Sequence, residues 1–147
     1  MTLTHSRTTA SPAVTREVLV LRAVAFVALC VSAYVHVDLA AAPWFSDGAF
    51  TLATLFVADA AACFLVGMWM IVRGSLLSCL AAGAVAAGSL GALVLAVYVK
   101  VPAIGPMPSV YEPFWYTEKV IAAVAAGVAA AAALLAAALL RRDQHPA

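Results

Sequence analysis

Charge is scarce in this 147-residue chain: only 10% of its residues are Asp, Glu, Lys or Arg, and the formal net charge is +1. Soluble domains are usually about a quarter charged. Hydrophobic residues make up 66% of the chain, which is more apolar surface than a soluble domain of this length can hide. The composition excludes intrinsic disorder and a basic face for nucleic acid, and it predicts that lipid surrounds most of the chain.

Cysteine and catalytic patterns are also scarce. Cys30, Cys63 and Cys79 form no C-x-x-C pair and are odd in number, so we interpret them as small apolar residues and exclude a disulfide-stapled secreted domain. The sequence has no P-loop, dinucleotide-binding glycine pattern, zinc-ligand pair or nucleophile elbow. We therefore expect neither a metal site nor a catalytic group, and a non-enzymatic role is favoured.

Long apolar runs are what the chain does contain. Each run has about 20 residues or more, the length that an α-helix needs to cross a hydrocarbon core of roughly 30 Å. The predicted spans cover residues 18–40, 49–72, 76–99 and 115–140, with tails at 1–17 and 141–147. The sequence thus predicts an all-α fold, a four-helix transmembrane bundle in which Arg73, Gly74 and Ser75 make a tight turn between spans two and three.

The first span could alternatively be a cleaved signal peptide. Its start is positively charged, and the alanines at 40–42 resemble a cleavage site. The apolar run is longer than the 7–15 residues typical of signal peptides, however, and Pro43 would follow the cut. We expect the span to be retained.

Basic residues predict the orientation, because cytoplasmic loops carry an excess of Lys and Arg. Six of the eight basic residues fall on one side of the predicted spans, namely Arg7, Arg16, Arg22, Arg73, Arg141 and Arg142. Lys100 and Lys119 fall on the other. We expect both termini to lie in the cytoplasm and the protein to sit in a bacterial inner membrane.

Small residues predict how the spans pack. Span three carries Gly83, Ala87 and Gly91 at four-residue spacing, and span four is largely alanine from 122 to 138. Helices in lipid associate through close packing and polar contacts. These faces predict a compact bundle and need no functional reason.

Ionisable residues at membrane depth hold most of the functional information, since each costs roughly 2.5–3.5 kcal/mol at mid-helix. Asp59 lies ten residues into predicted span two, near the midplane, and we expect it to point into the bundle. One possibility is that Asp59 is functional, as a proton or cation site or as the anchor of a polar ligand. The other is that it is a protonated carboxyl that makes one interhelical hydrogen bond. His36, the single histidine within a span, is either a structural residue or a quinone partner or proton relay. A bis-histidine haem site would need a second chain.

The entry to span four, residues 111–119, is the densest aromatic and charged segment. A belt of interfacial aromatic residues explains its Trp and Tyr side chains, but it does not explain Glu118 and Lys119. We expect Glu118 to point inward, and Lys119 either to have a partner or to extend to the membrane surface.

Together these residues predict a polar pocket beneath the proline-rich loop at 100–114, with Asp59 as its floor. The predicted site residues are His36, Asp59, Tyr98, Tyr116, Glu118 and Lys119. The alternative is an ion-pair network that fixes the loop.

The favoured function is an accessory subunit or a binder of a small lipophilic ligand. Alternatives are a quinone- or haem-associated redox protein, and a proton-linked carrier that uses Asp59 and Glu118. The expected partners are the lipid bilayer and a membrane protein or second copy, with no nucleic acid.

The plan resembles small four-span bacterial membrane proteins of unknown function. The residues that carry the resemblance are His36-x-Asp38, the Gly48-Ala49-Phe50 entry to span two, Asp59, Tyr116 and Glu118. In size and topology the chain is similar to the DoxX-like group. That resemblance implies an association with membrane redox and quinone-linked complexes, and it assigns no site residues.

Overall fold

Four α-helices make up the fold in the computed structural model, which describes residues 12–42, 51–103 and 109–144. They are α1 (Pro12–Ala40), α2 (Leu52–Arg73), α3 (Leu76–Tyr98) and α4 (Thr117–Gln144), and the described ranges contain no strand. Each helix is long and apolar enough to cross a membrane. The predicted all-α, four-helix bundle of a multi-pass membrane protein is therefore confirmed.

The helices extend past the predicted spans at both chain ends. α1 begins at Pro12 instead of residue 18, and α4 continues to Gln144 instead of 140. The predicted spans stop where charges begin, whereas helical hydrogen bonding continues past the apolar run with Arg16 and Arg141 exposed. Residues 1–11 and 145–147 of the predicted tails, and residues 49–50 of predicted span two, lie outside the described residues.

The turn between α2 and α3 is closed by local caps. Gly74 adopts the left-handed region with φ 57° and donates its backbone N–H to the Met70 carbonyl over 3.0 Å, which ends α2. Ser75 then begins α3, because its hydroxyl accepts from the backbone N–H of Ser78 and the Ser78 hydroxyl accepts from the backbone N–H of Ser75. These caps produce the predicted tight hairpin.

The helices are neighbours in chain order, and α4 closes the ring against α1. α4 is buried through alanine, including Ala122, Ala129, Ala133 and Ala136, so the backbones approach closely as predicted. The seam between α2 and α3 has the fewest contacts of the four. The bundle is therefore tight around α4 and loosest between α2 and α3.

The two ends of the bundle differ in chemistry. One end, called the arginine end, carries Arg16, Arg22, Arg73, Arg141 and Arg142. There Arg22 donates from Nη2 to the carbonyls of Met70 and Ile71, each over 2.7 Å, and so binds the last turn of α2 to α1. The opposite end, called the loop end, comprises the described residues 40–42, 51–52, 98–103 and 109–117. The ionisable residues of the predicted site lie in the half of the bundle near the loop end.

Candidate functional site

A cavity of about 300 Å³ lies near the loop end between α2 and α3, with α1 behind it and residues 110–119 above it. Its walls are mainly apolar and include Leu55 and Phe56 from α2 and Leu93 and Ala96 from α3. Asp59 lies seven residues into α2, about 10 Å from the start of that helix. The cavity is thus an apolar chamber that extends down to an acid.

The inner polar cluster consists of His36, Asp59 and Ser89. His36 is only 3% exposed, and its Nδ1 lies 2.8 Å from the Ser32 carbonyl oxygen. A carbonyl can only accept, so Nδ1 carries a proton and Nε2 faces Asp59 Oδ2 at 3.4 Å. The Ser89 hydroxyl donates to the same Oδ2 over 2.9 Å. One carboxylate oxygen therefore joins α1, α2 and α3.

The two oxygens of Asp59 have different surroundings. Oδ2 also faces the Cys63 thiol at 3.8 Å, whereas no hydrogen bond from any described residue reaches Oδ1. Oδ1 is not among the buried unpaired atoms of the described chain, and the side chain is 26% exposed. Oδ1 is therefore an accessible acceptor on a residue that lines the cavity.

The outer polar cluster consists of Glu112, Tyr116 and Lys119. Lys119 is 2% exposed, and its Nζ lies 2.9 Å from Glu112 Oε2 and donates to the Glu112 carbonyl over 3.1 Å. The Tyr116 hydroxyl donates to the same Oε2 over 3.3 Å. Burial and then the negative charge of Glu112 raise the pKa of Tyr116, which precedes α4, to about 12.

The outer cluster also holds the connection between α3 and α4 in place. The backbone N–H of Glu112 donates to the Ala96 carbonyl over 2.8 Å, and the Lys119 ammonium lies 4.9 Å from the centroid of the Tyr116 ring. These contacts fix the described part of the connection over the cavity. The residues of the ion-pair network are thus also the residues that cover the cavity. The two alternatives drawn from the sequence, a polar pocket and an ion-pair network, are therefore compatible in geometry.

Four of the six predicted site residues line the cavity, namely His36, Asp59, Tyr116 and Lys119. Tyr98 does not: it is 71% exposed on the outer surface, where its hydroxyl accepts from the Trp115 indole N–H over 3.3 Å. Glu118 is exposed as well, and its expected inward direction is wrong. Adjacent helical residues point about 100° apart, and in the first turn of α4 it is Lys119 that faces inward.

Phe56 and Ser89 line the cavity but were not predicted to, and Glu112, which lies in the predicted polar segment 111–119, was not among the predicted site residues. Phe56 packs its ring against the His36 imidazole at 5.8 Å between centroids. Ser89 had a usable signal, because it is the single serine or threonine of α3 beyond its first turn. Glu112 also had a usable signal in the sequence, because a buried Lys119, seven residues away, needs a counter-charge.

The inner cluster does not suit a haem ligand. An axial histidine must offer the iron a nitrogen atom, and the nitrogen of His36 that carries the lone pair, Nε2, faces Asp59 at 3.4 Å, so Asp59 stands where the iron would have to lie. Within the described ranges, no three His, Cys, Asp or Glu side chains form a group that could hold a metal ion. What the cluster can do is position a hydrogen-bonding group at the bottom of the cavity.

Comparison of this chain with protein-family models, with curated proteins and with solved structures gave no match. The function is therefore argued from the cavity and its two polar clusters.

Proposed function

We propose that this multi-pass membrane protein binds a small lipophilic ligand in the cavity at its loop end. The observation that carries the proposal is the combination of apolar walls with polar clusters at two ends of one chamber of about 300 Å³. Ligand sites are typically apolar clefts of roughly this size or larger in which a few polar groups set the orientation. A role as an accessory subunit is compatible, with the ligand shared with a partner protein.

Access from the bilayer supports a lipophilic ligand. The cavity lies at the α2–α3 seam, the loosest of the bundle, and Leu95 on its rim is 45% exposed on a helix that lipid surrounds. A ligand dissolved in the membrane would enter sideways between α2 and α3 and would not need to cross the water layer.

The distribution of charge favours a binder over a proton-linked carrier. From Leu76 to Tyr98 in α3 and from Val120 to Leu140 in α4 the sequence has no charged residue. Both polar clusters lie in the loop half of the bundle, whereas a carrier would need free ionisable groups in the other half as well. Arg22 lies in that half, but the carbonyls of Met70 and Ile71 hold its guanidinium. Glu118, the second acid of the carrier hypothesis, is exposed away from the cavity.

We further propose that the loop end faces the outside of a bacterial inner membrane, with both termini in the cytoplasm. The support is the excess of arginine at the opposite end, where Arg73, Arg141 and Arg142 are exposed. The ligand would then enter from the outer leaflet.

The ligand can be identified from material that copurifies with the protein. Native mass spectrometry of the protein released from nanodiscs, followed by extraction and a visible absorption spectrum, would show a retained small molecule and would distinguish a quinone or haem from other ligands. In Ala96→Trp an indole fills the cavity, and Ala84→Trp on the exposed face of the same helix is the control. We expect the wild type and the control to retain the molecule and Ala96→Trp to lose it. Retention by the wild type and by both variants would overturn the proposal.

A further inference from the structure

The hydrogen-bond donors of the two polar clusters are already used by the protein, whereas no described residue hydrogen-bonds the hydroxyl of Tyr111, which also lines the cavity. The Ser89 hydroxyl donates to Asp59 Oδ2, and the Tyr116 hydroxyl donates to Glu112 Oε2. Lys119 donates to the Glu112 carbonyl and pairs with its Oε2. The protonated nitrogen of His36 is directed at the Ser32 carbonyl. Within the two clusters little donor capacity is left for a ligand.

The acceptors of the same groups are not used up. Within the described residues no hydrogen bond reaches Asp59 Oδ1 or Glu112 Oε1, and neither atom is among the buried unpaired ones. Asp59 belongs to the inner cluster and Glu112 to the outer one, and both residues line the cavity. The cavity therefore offers an accessible carboxylate oxygen in each cluster.

The charge of the cavity lining also favours a ligand head that donates hydrogen bonds. The ionisable side chains of the two clusters, besides the Tyr116 phenol, are two carboxylates, one ammonium and one imidazole. With both acids and Lys119 charged, the formal charge is −1 while His36 is neutral, and zero when it is protonated. The lining has no surplus positive charge in either state, so an anionic head group would find no counter-ion in a medium where unpaired charge is costly.

We propose that the ligand is a lipophilic molecule whose polar head donates hydrogen bonds, such as an alcohol, a phenol or a protonated amine, and that Asp59 Oδ1 accepts from it. A second donor on the ligand would reach Glu112 Oε1. The inference rests on the proposed function and specifies the chemistry of the ligand.

Matched probes test the donor directly. Binding of 4-hexylphenol and its methyl ether would be measured by calorimetry on the full-length protein in nanodiscs, with empty nanodiscs as the partition blank. The two probes differ mainly in the hydroxyl proton. Because a hydrogen bond to a charged group is worth a factor of ten or so in affinity, we expect the phenol to bind about tenfold tighter. Decanoate, which carries an anionic head, should bind more weakly than decylamine.

An Asp59→Asn variant assigns the preference to one atom. Ser89 donates at the Oδ2 position and His36 Nε2 faces the same position, so the amide can lie either way round. In both orientations the Oδ1 position loses the negative charge of the carboxylate, and the preference for phenol should shrink or vanish. Asp38→Asn, at an exposed carboxylate of α1, should retain it. Helix content by circular dichroism shows that each variant is folded.

The outcomes separate the two proposals. If phenol and ether bind the wild type equally, or decanoate binds best, the donor inference is wrong and the binding function stands. If none of the four probes binds above the nanodisc blank and no molecule copurifies, the proposed function fails. The wild-type comparison alone decides the inference even if Asp59→Asn does not fold.

Discussion

At the scale of single residues, Lys119 dominates the energetics of the loop end, because it is a charge that is 2% exposed. Glu112→Gln removes its counter-ion, and losing one partner of a buried pair costs about 3–5 kcal/mol. Glu112 itself is 37% exposed, so we expect about 3 kcal/mol, the low end of that range. Unfolding in mixed micelles of increasing SDS content, followed by circular dichroism, measures the loss.

Glu118→Gln is the matched control, because Glu118 is an exposed acid in the first turn of α4. Its helix-dipole contribution is no more than about 1 kcal/mol. Adding Lys119→Met to Glu112→Gln removes the unpaired charge and should recover part of the loss. Equal costs for Glu112→Gln and Glu118→Gln would show that the pair does not stabilise the connection.

Tyr116 provides a pH-dependent signal of the outer cluster. Burial and the charge of Glu112 raise its pKa to about 12, above the value of about 10 for a free tyrosine. The raised pKa stabilises the fold fully below pH about 10, and this contribution is lost as the pH rises through about 12. The tyrosinate absorbance of wild type minus Tyr116→Phe should therefore titrate near pH 12, and Glu112→Gln should move it downward. A midpoint near pH 10 in the difference titration would contradict the contact between Tyr116 and Glu112.

At the scale of elements, the α3–α4 contact depends on Gly83. A Cβ there would lie 2.7 Å from Leu134 Cδ2 and 2.8 Å from its Cγ, whereas at Gly88 it would meet nothing within 4 Å. We expect Gly83→Leu to lower the free energy of unfolding by about 1–3 kcal/mol through overpacking. Gly88→Leu, on the exposed face of the same helix, should be close to neutral. SDS unfolding of both variants measures the difference, and equal effects would place the contact elsewhere.

The elements were predictable from the sequence because long apolar runs and few charges leave no other fold for these segments in lipid. The rotation of each helix was harder to predict. α4 presents alanine on nearly every side, so no apolar stripe distinguishes Glu118 from Lys119, and the wrong one was expected to face inward. His36 and Asp59 were found because an ionisable residue at membrane depth needs a reason. Ser89 was missed because a hydroxyl costs little there, and its role depends on which helix lies opposite.

At the scale of the whole molecule, the proposed orientation determines which leaflet supplies the ligand. Single cysteines report it: Ser109→Cys lies in the connection at the loop end, and Gln144→Cys lies at the arginine end, and both positions are exposed. The excess of basic residues at the arginine end predicts that a membrane-impermeant maleimide labels Ser109→Cys in intact spheroplasts and labels Gln144→Cys only after lysis. Wild type, whose Cys63 and Cys79 are buried and Cys30 partly so, gives the background labelling. The reverse pattern would invert the bundle, so that the ligand would enter the α2–α3 seam from the cytoplasmic leaflet, with the cavity unchanged.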